Sequence, residues 1–133
     1  MTVEEVMFAR LTATGSATKA HVATRVYPAY VPDTATLPCI MYERKPDSQQ
    51  TRNNIDGTID HIRAVYKLNC YAAQEAFATA QATAEAVAQD LHNYRAALDG
   101  VTIHNIWHNQ TYTDYDGVNK RQRVTVEVEI WYS

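Results

Sequence analysis

The feature that most constrains the fold is a run of alternating residues from Ile59 to Tyr71. Its apolar positions share one face and its polar positions share the other. Because successive side chains of a strand point to opposite faces, the run predicts a strand with one buried and one solvated face, as antiparallel sheets allow. The buried set is Ile62, Ala64, Tyr66, Leu68 and Cys70, and the solvated set is His61, Arg63, Lys67 and Asn69.

Two helices are predicted to cover the buried face. Thr2 and Glu5 have capping-box spacing, which predicts a first helix from about Val3 to Thr12. An alanine-rich stretch predicts a long helix from about Gln74 to Ala97, ended near Gly100, because alanine favours helices and the larger apolar residues recur every three or four positions. That stripe is Phe77, Ala80, Ala84, Val87, Leu91, Tyr94 and Leu98.

The remaining strands complete an α+β pattern. Short strands are predicted at 25–27 and 39–44, a less regular one from Val101 to about Tyr115, a two-residue turn at Asp116-Gly117 and a last strand at 120–132. A turn of helix near 17–22 is also predicted. With 133 residues, the expected fold is a single domain over 1–133: a mostly antiparallel sheet of about four to five strands, packed on one face by a short N-terminal helix and one long helix.

A long polar connection runs from Lys45 to Gly57. It contains Asp47, Gln49, Gln50, Arg52, Asn53 and Asn54, with little apolar surface to bury within its own domain. Loops of this length without structure of their own are commonly functional or mobile. A solvated hairpin tip is an equally good reading of the residues alone.

The sequence contains little that indicates catalysis, a cofactor or a metal. His104 and His108 lie roughly 13 Å apart if they are four residues apart on a strand, too far to share zinc. Asp114 and Asp116 match only a fragment of a calcium loop, and no glycine-rich phosphate loop occurs. Cys39 and Cys70 fall in apolar strands and are predicted to be buried free thiols. We therefore predict a protein that is not an enzyme.

Charge and hydropathy exclude two further classes. The formal net charge of −3 disfavours a general nucleic-acid-binding domain. The acidic first residues are followed by no long apolar run, so neither a secretion signal nor a membrane span is expected, and the protein should be soluble. One basic cluster stands out, formed by Lys120, Arg121 and Arg123. Such clusters are most often solvated strand ends.

Several short segments, in a fixed order, carry a family resemblance. They are Arg25-Val26-Tyr27-Pro28, Leu37-Pro38-Cys39-Ile40-Met41-Tyr42, the alanine-rich helix, Leu98-Asp99-Gly100 and Glu129-Ile130-Trp131-Tyr132. Together the series resembles the tail-completion (tail-terminator, head-tail joining) family of long-tailed bacteriophages. The resemblance implies a structural virion protein, made in the host cytoplasm, that caps the head-proximal end of the tail tube as a homo-oligomeric ring, with six as the expected number of subunits.

The same resemblance implies the partners and the working residues. The expected partners are further copies of the chain, the tail tube protein and a head-completion or stopper protein of the neck, with DNA only passing through the lumen. Asp47, Gln49, Gln50, Arg52, Asn53 and Asn54 become the candidate interface with neighbours or tube. Lys120, Arg121 and Arg123 become candidate lumen or intersubunit charges.

Other functions stay open on the sequence. The chain could be another phage neck or head-completion adaptor. A small α+β ligand-binding module or enzyme is supported only by nine tyrosines and scattered histidines.

Overall fold

The chain forms three helices and seven strands in the residues that the computed structural model describes, which are 2–32, 34–46 and 49–133. The helices are α1 (Val3–Leu11), α2 (Lys19–Val22) and α3 (Phe77–Leu91). The strands are β1 (Val26–Pro28), β2 (Cys39–Arg44), β3 (Gln50–Asn53), β4 (Ile59–Ala73), β5 (Ala96–Leu98), β6 (Val101–Asp116) and β7 (Arg121–Tyr132).

All seven strands join one mixed sheet that curves into a half-barrel. Its order is β1-β2-β4-β7-β6-β5, with β3 paired to β4 beyond the end of β2. Only the β1–β2 pair is parallel, and the other pairs are antiparallel. The predicted fold class, a mostly antiparallel sheet of four to five strands packed by helices, was therefore wrong. The sheet has more strands than predicted because β3 forms within the polar connection and β5 forms where the long helix was predicted to end.

Helix α1 forms as its capping signal predicts. The Thr2 side chain accepts a hydrogen bond from the backbone N–H of Glu5 at 3.2 Å, and the Glu5 carboxylate accepts one from the Thr2 N–H at 3.1 Å. This reciprocal pair satisfies two backbone donors that a helix start leaves open.

One main core lies between the sheet and the helices. Its helical members are Val3, Val6, Met7 and Leu11 of α1 and Ala80, Ala84, Val87 and Leu91 of α3. The alternating residues of β4 and β7 supply the other side: Ala64, Tyr66, Leu68 and Cys70, with Val124, Val126, Val128 and Ile130. The period-two and helical patterns therefore identified most of this core correctly.

Helix α3 is shorter than predicted at both ends. At its start, β4 continues to Ala73, which pairs with Arg121. At its end, Asn93 adopts a left-handed backbone (φ 61°), a conformation that asparagine tolerates, and donates its N–H to the Ile106 carbonyl at 2.8 Å. The chain then forms β5 against the start of β6. Gly100 therefore lies in the β5–β6 turn, with φ 83°.

Strand β6 contains two irregularities that explain its uneven apolar pattern. Its pairing with β7 shifts between Ile103 and Asn105 and again between His108 and Gln110. Each extra residue reverses which side chains face the core. The turn after β6 is also longer than the predicted two residues, because residues 117–120 separate Asp116 from Arg121.

The other face of the sheet is less solvated than predicted. Asn69, Thr125 and Glu127 are all buried there. Thr125 donates its hydroxyl to Asn69 Oδ1 at 2.7 Å, which gives both buried side chains a polar partner. A small apolar cluster of Cys39, Met41 and Tyr71 occupies the same face near the end of β4, beneath part of the segment that links β1 to β2.

Candidate functional site

Most of the predicted interface residues lie on a hairpin rather than on an unstructured loop. Gln50, Arg52 and Asn53 belong to β3, and every residue of β3 is exposed. Gln49 precedes the strand, and its side-chain oxygen Oε1 accepts a hydrogen bond from the Arg44 guanidinium. Asn54 opens the turn that follows, whereas Asp47 lies outside the described residues. Of the two readings that the sequence left open, a loop without structure of its own and a solvated hairpin tip, the structure shows the hairpin, because β3 obtains its hydrogen bonds from β4.

The tip of this hairpin is held by its own polar groups. Asn54 donates its backbone N–H to the Thr58 carbonyl at 2.7 Å and its side-chain amide to Thr58 Oγ1 at 3.0 Å. The Asp56 carboxylate accepts from the Thr58 N–H at 3.0 Å, which closes an Asx turn. Ile55 lies within this turn with its side chain fully exposed, at 109% of its reference area. The hairpin therefore presents an apolar side chain on an ordered polar support.

A groove of about 410 Å³ lies beside β3. Arg52, His61 and Trp131 form part of its wall, and the His61 and Trp131 rings are 4.9 Å apart. Asp60 pairs with His61 at 2.9 Å, while Arg52 forms none of the ion pairs found among the described residues. The groove therefore offers an aromatic surface beside an aspartate and an arginine that forms no ion pair among the described residues.

The basic cluster is largely neutralised inside the chain. Arg121 pairs with Asp116 at 3.0 Å and lies 4.0 Å from the centre of the Tyr71 ring, and Arg123 pairs with Asp114. The hydrogen bond and charge of Arg123 lower the pKa of Asp114. A hydrogen bond from Asn119, with help from Arg121, lowers the pKa of Asp116. Lys120 lies in the exposed turn before β7 and takes part in no ion pair among the described residues.

Further ion pairs cross the same sheet face. Arg63 pairs with Glu129, Lys67 with Glu43 at 3.7 Å, and Lys45 with Glu127 at 3.1 Å. Burial raises the pKa of Glu127, but hydrogen bonds from Gln110 and Lys45 outweigh it, so the pKa is lowered overall. The sequence does contain a signal for these ion pairs, because opposite charges occur at alternate positions of β4 and β7. Only the register shows which charges meet.

Chemically reactive groups are sparse in this arrangement. No three His, Cys, Asp or Glu side chains of the described segments are grouped so that they could hold a metal ion. Cys39 and Cys70 are free and buried, as predicted, and burial raises the pKa of both thiols. A raised thiol pKa disfavours the nucleophilic thiolate form. His104 donates to or accepts from Ser133 at 3.0 Å, and His108 contacts Thr111 at 2.7 Å, so each histidine has a local partner.

Comparison with protein families decides the assignment. The family described as "Tail completion protein gp17" matches residues 5–133, nearly the whole chain. The chain belongs to this tail completion family. It is therefore a structural protein of the phage tail, located in the virion, as the sequence resemblance predicted.

A solved structure with a similar fold supports the comparison. A chain of the structure titled "Virion of native gene transfer agent (GTA) particle" shares the fold with a TM-score of 0.73 and 19% sequence identity, covering 98% of this chain and 93% of that chain. Among curated proteins, no sequence matches the chain. Within the described residues, every helix is too short or too polar to cross a bilayer.

Proposed function

We propose that the protein caps the head-proximal end of a phage tail tube as a closed ring of identical subunits, and that this ring is the surface to which a head is joined. The observation that carries the proposal is the tail completion family match over residues 5–133. The similar fold of a chain from a gene transfer agent virion supports it. The proposed number of subunits is six, from the family resemblance.

The proposed partners are neighbouring copies, the tail tube protein and a head-completion or stopper protein. A ring built by rotation uses two different surfaces of each subunit, because one surface meets a different surface on the next copy. This chain has separate candidates for such surfaces, at the β3–β4 hairpin and at the β6–β7 hairpin on the opposite margin of the sheet.

We assign the β3–β4 hairpin to contact with a neighbour or with the tube. Gln49, Gln50, Arg52, Asn53 and Asn54 supply exposed hydrogen-bonding groups, and Ile55 supplies an apolar anchor at the tip. Because the turn is closed by Asn54 and Asp56, little entropy remains to be lost at this tip when a partner binds.

We assign Lys120, Arg121 and Arg123 to the lumen or to an intersubunit contact. Internal pairing of Arg121 and Arg123 with Asp116 and Asp114 leaves this sheet face close to electrical balance. Such a face would favour passage of DNA over tight binding, because phosphate binding depends on excess positive charge. Lys120 is the member of the cluster that offers a charge to a partner.

The test is to delete the gene from the phage and image the particles that form. We expect separate heads and tails, with tails that lack a terminal ring, and restoration of joined particles when the gene is supplied from a plasmid. Tails that keep an intact upper ring without the protein would refute the proposal. Heads that leak DNA beside normally terminated tails would instead indicate a head-completion adaptor.

A further inference from the structure

Four neighbouring strands each contribute one side chain to the groove beside β3. Arg52 of β3 is opposite His61 of β4. The His61 ring lies 4.9 Å from the ring of Trp131 of β7, and Trp131 is opposite Asn105 of β6. The alternation of the strands places these side chains on the face opposite the helices. Because neighbouring strands are roughly 4.8 Å apart, the row is roughly 14 Å long, which about four extended residues can span.

A β-bulge shapes the β6 side of this groove. Ile103 pairs with Tyr132 and Asn105 pairs with Trp131, so His104 is an extra residue in β6. Bulges commonly re-aim a side chain next to a functional site. Here both His104 and Asn105 line the groove. Strict alternation from Ile103 would have turned Asn105 toward the helix-covered core, and the bulge directs it to the groove instead.

The Asn105 side chain is buried in this wall with its hydrogen-bonding capacity unused. It is 7% exposed, and neither Nδ2 nor Oδ1 has a partner among the described residues. By contrast, the side chain of Asn69, which is buried on the same face, accepts the Thr125 hydroxyl. A buried amide without a partner costs folding free energy, so such a group calls for an explanation. A free donor and a free acceptor side by side match a peptide group, which offers one of each.

Arg52 supplies a positive charge at the other end of the row. It forms none of the ion pairs found among the described residues, and Asp60 of the same groove pairs with His61. The other arginines on this sheet face each pair with an acidic residue of a neighbouring strand. These pairs are Arg63–Glu129, Arg121–Asp116 and Arg123–Asp114. A guanidinium left unpaired in a groove can bind a carboxylate through two parallel hydrogen bonds.

We propose that this groove binds an extended peptide segment of another virion protein, carrying one carboxylate side chain, when the protein is in place on the tail. This inference rests on the proposed position at the end of the tail. In the bound segment, a peptide group exchanges hydrogen bonds with the Asn105 amide. An apolar side chain packs on the Trp131 and His61 rings, and the carboxylate pairs with Arg52.

Charge favours a peptide over DNA, and a different protein over a second copy. Phosphate binding depends on excess positive charge, whereas this groove has one unpaired arginine and also contains Asp60. A second copy would have to supply the carboxylate. The described acidic residues of its own sheet face are already held in ion pairs, so a different virion protein is the better source.

The first test replaces the unused amide by an apolar group of similar size. Asn105→Leu removes a buried polar group that has no partner in the free protein, so we expect a melting temperature equal to or above that of wild type. The same variant should fail to assemble on tails, with a large loss of infectious particles, because the peptide group of the partner would then be buried without a hydrogen bond. A purely structural role of Asn105 predicts a lower melting temperature instead.

Thr18→Val is the matched control. Its hydroxyl oxygen is also buried without a partner among the described residues, but Thr18 lies beside α2 on the helix side of the sheet. We expect this variant to melt normally and to give normal infectivity. Two results with Asn105→Leu would overturn the inference. A large fall in melting temperature would show that the amide is already satisfied in the free protein, and normal infectivity would show that no partner uses it.

The second test identifies the occupant by photo-cross-linking in assembled tails. The photoreactive amino acid p-benzoylphenylalanine replaces Gln50, an exposed residue that lines the concave surface next to Trp131. We expect attachment to a segment of a different virion protein that contains an aspartate or a glutamate. The same amino acid in place of Gln81, on the exposed side of α3, is the control and should not give this product. Cross-links to DNA or to a second copy of the chain would overturn the assigned occupant.

Charge exchange then tests the contact itself. Arg52→Glu should lose infectivity through repulsion of the carboxylate, and replacement of the cross-linked acidic residue of the partner by arginine should restore it. Failure of the exchange to restore infectivity would overturn the pairing with Arg52.

These outcomes separate the peptide site from the proposed function. Tails that carry the terminal ring but give no cross-link from position 50 would overturn peptide binding and leave the ring in place. Wild-type tails without the protein at their upper end would overturn both.

Discussion

A few single side chains connect elements that are distant in the sequence, and Tyr66 is the clearest example. Its ring is fully buried in the core. Its hydroxyl donates to Glu4 of α1 at 2.6 Å and accepts from Arg44 of β2 at 2.9 Å, while Arg44 also pairs with Glu4 at 3.1 Å. The alternation of β4 predicts that Tyr66 is buried. Its two partners come from elements 62 and 22 residues away, which no local pattern reports.

Removal of the Glu4 charge should reduce stability in a pH-dependent way. Partial burial raises the pKa of Glu4, but hydrogen bonds from Tyr66 and the backbone and the charge of Arg44 outweigh it, so its pKa is lowered in the folded state. Its contribution is therefore present above its ordinary pKa of 4.5 and lost as the pH falls through the lower folded value. We expect Glu4→Gln to lower the urea midpoint at pH 7, and the deficit to shrink as the pH is taken progressively below 4.5. Glu85→Gln, at an exposed site on α3, is the control, and a deficit that does not depend on pH would contradict the assignment.

Asp90 is a structural residue that the sequence did not reveal. It is buried at the end of α3, and its carboxylate accepts the backbone N–H groups of Thr18 at 2.8 Å and Ala17 at 3.2 Å. Its carbonyl also accepts Arg10 Nε at 2.8 Å. The Asp90 carboxylate therefore connects the end of α3 to the turn before α2 through two hydrogen bonds.

Asp90→Ala should destabilise the protein by about 2–3 kcal/mol, because one buried and one partly buried backbone N–H lose a charged acceptor. Asp90→Asn keeps one acceptor oxygen and should lose less. Chemical denaturation of the three proteins measures the difference. Equal unfolding free energies for Asp90→Ala and wild type would show that water replaces the carboxylate.

At the scale of elements, the stripe of α3 can be tested directly. Val87 and Leu91 are both fully buried against the sheet. An aspartate at either position would place an unpaired charge in the core, at a cost of several kcal/mol. We expect Val87→Asp and Leu91→Asp to lose the cooperative melting transition followed by circular dichroism, while Gln81→Asp on the exposed side of the same helix melts normally. A normal melt for Val87→Asp would mean that this side of α3 faces solvent.

The β3–β4 hairpin offers the opposite test, a change that spares the fold. All four residues of β3 are exposed, so replacement of residues 49–54 by a short Gly-Ser linker removes little buried surface. We expect a melting temperature within a few degrees of wild type and a large loss of infectious particles. Full infectivity of the same variant would show that the hairpin is passive.

Arg52→Ala is the narrower version of this experiment. It should behave like the linker variant, although with a smaller loss of infectivity, because it removes one cation and leaves β3 in place. Arg95→Ala is the matched control, since Arg95 is an exposed arginine after α3. Equal infectivity of the two variants would place the working surface elsewhere, toward Arg121 and Arg123.

At the scale of the whole molecule, the protein should form a ring with six-fold symmetry at the upper end of the tail. A closed rotation satisfies one pair of complementary surfaces on every copy and leaves no open site. Electron micrographs of tails viewed along their axis would show the symmetry by rotational averaging. A monomer in free solution is compatible with this expectation, because the tail end can template assembly. A different rotational order would contradict the number six.

The sequence by itself determined the elements with strong local signals. The capping box of α1, the alternation of β4 and β7, and the central stripe of α3 depend on neighbouring residues, and they are found as predicted. The ordered series of short segments also identified the family. The three structural features depend on nearby residues, and the family follows from sequence resemblance. Neither kind of prediction requires knowing which strands pair.

Only the tertiary structure decided the rest, because the deciding energies come from partners distant in sequence. The polar residues of β3 form a strand through the ladder of β4, and β5 forms where Asn93 turns the chain onto β6. Asn69 and Glu127 are buried on a face that reads as solvated, since Thr125 and Lys45 satisfy them across the sheet. Strand register and sheet curvature likewise depend on long-range pairing, and no local pattern contains them.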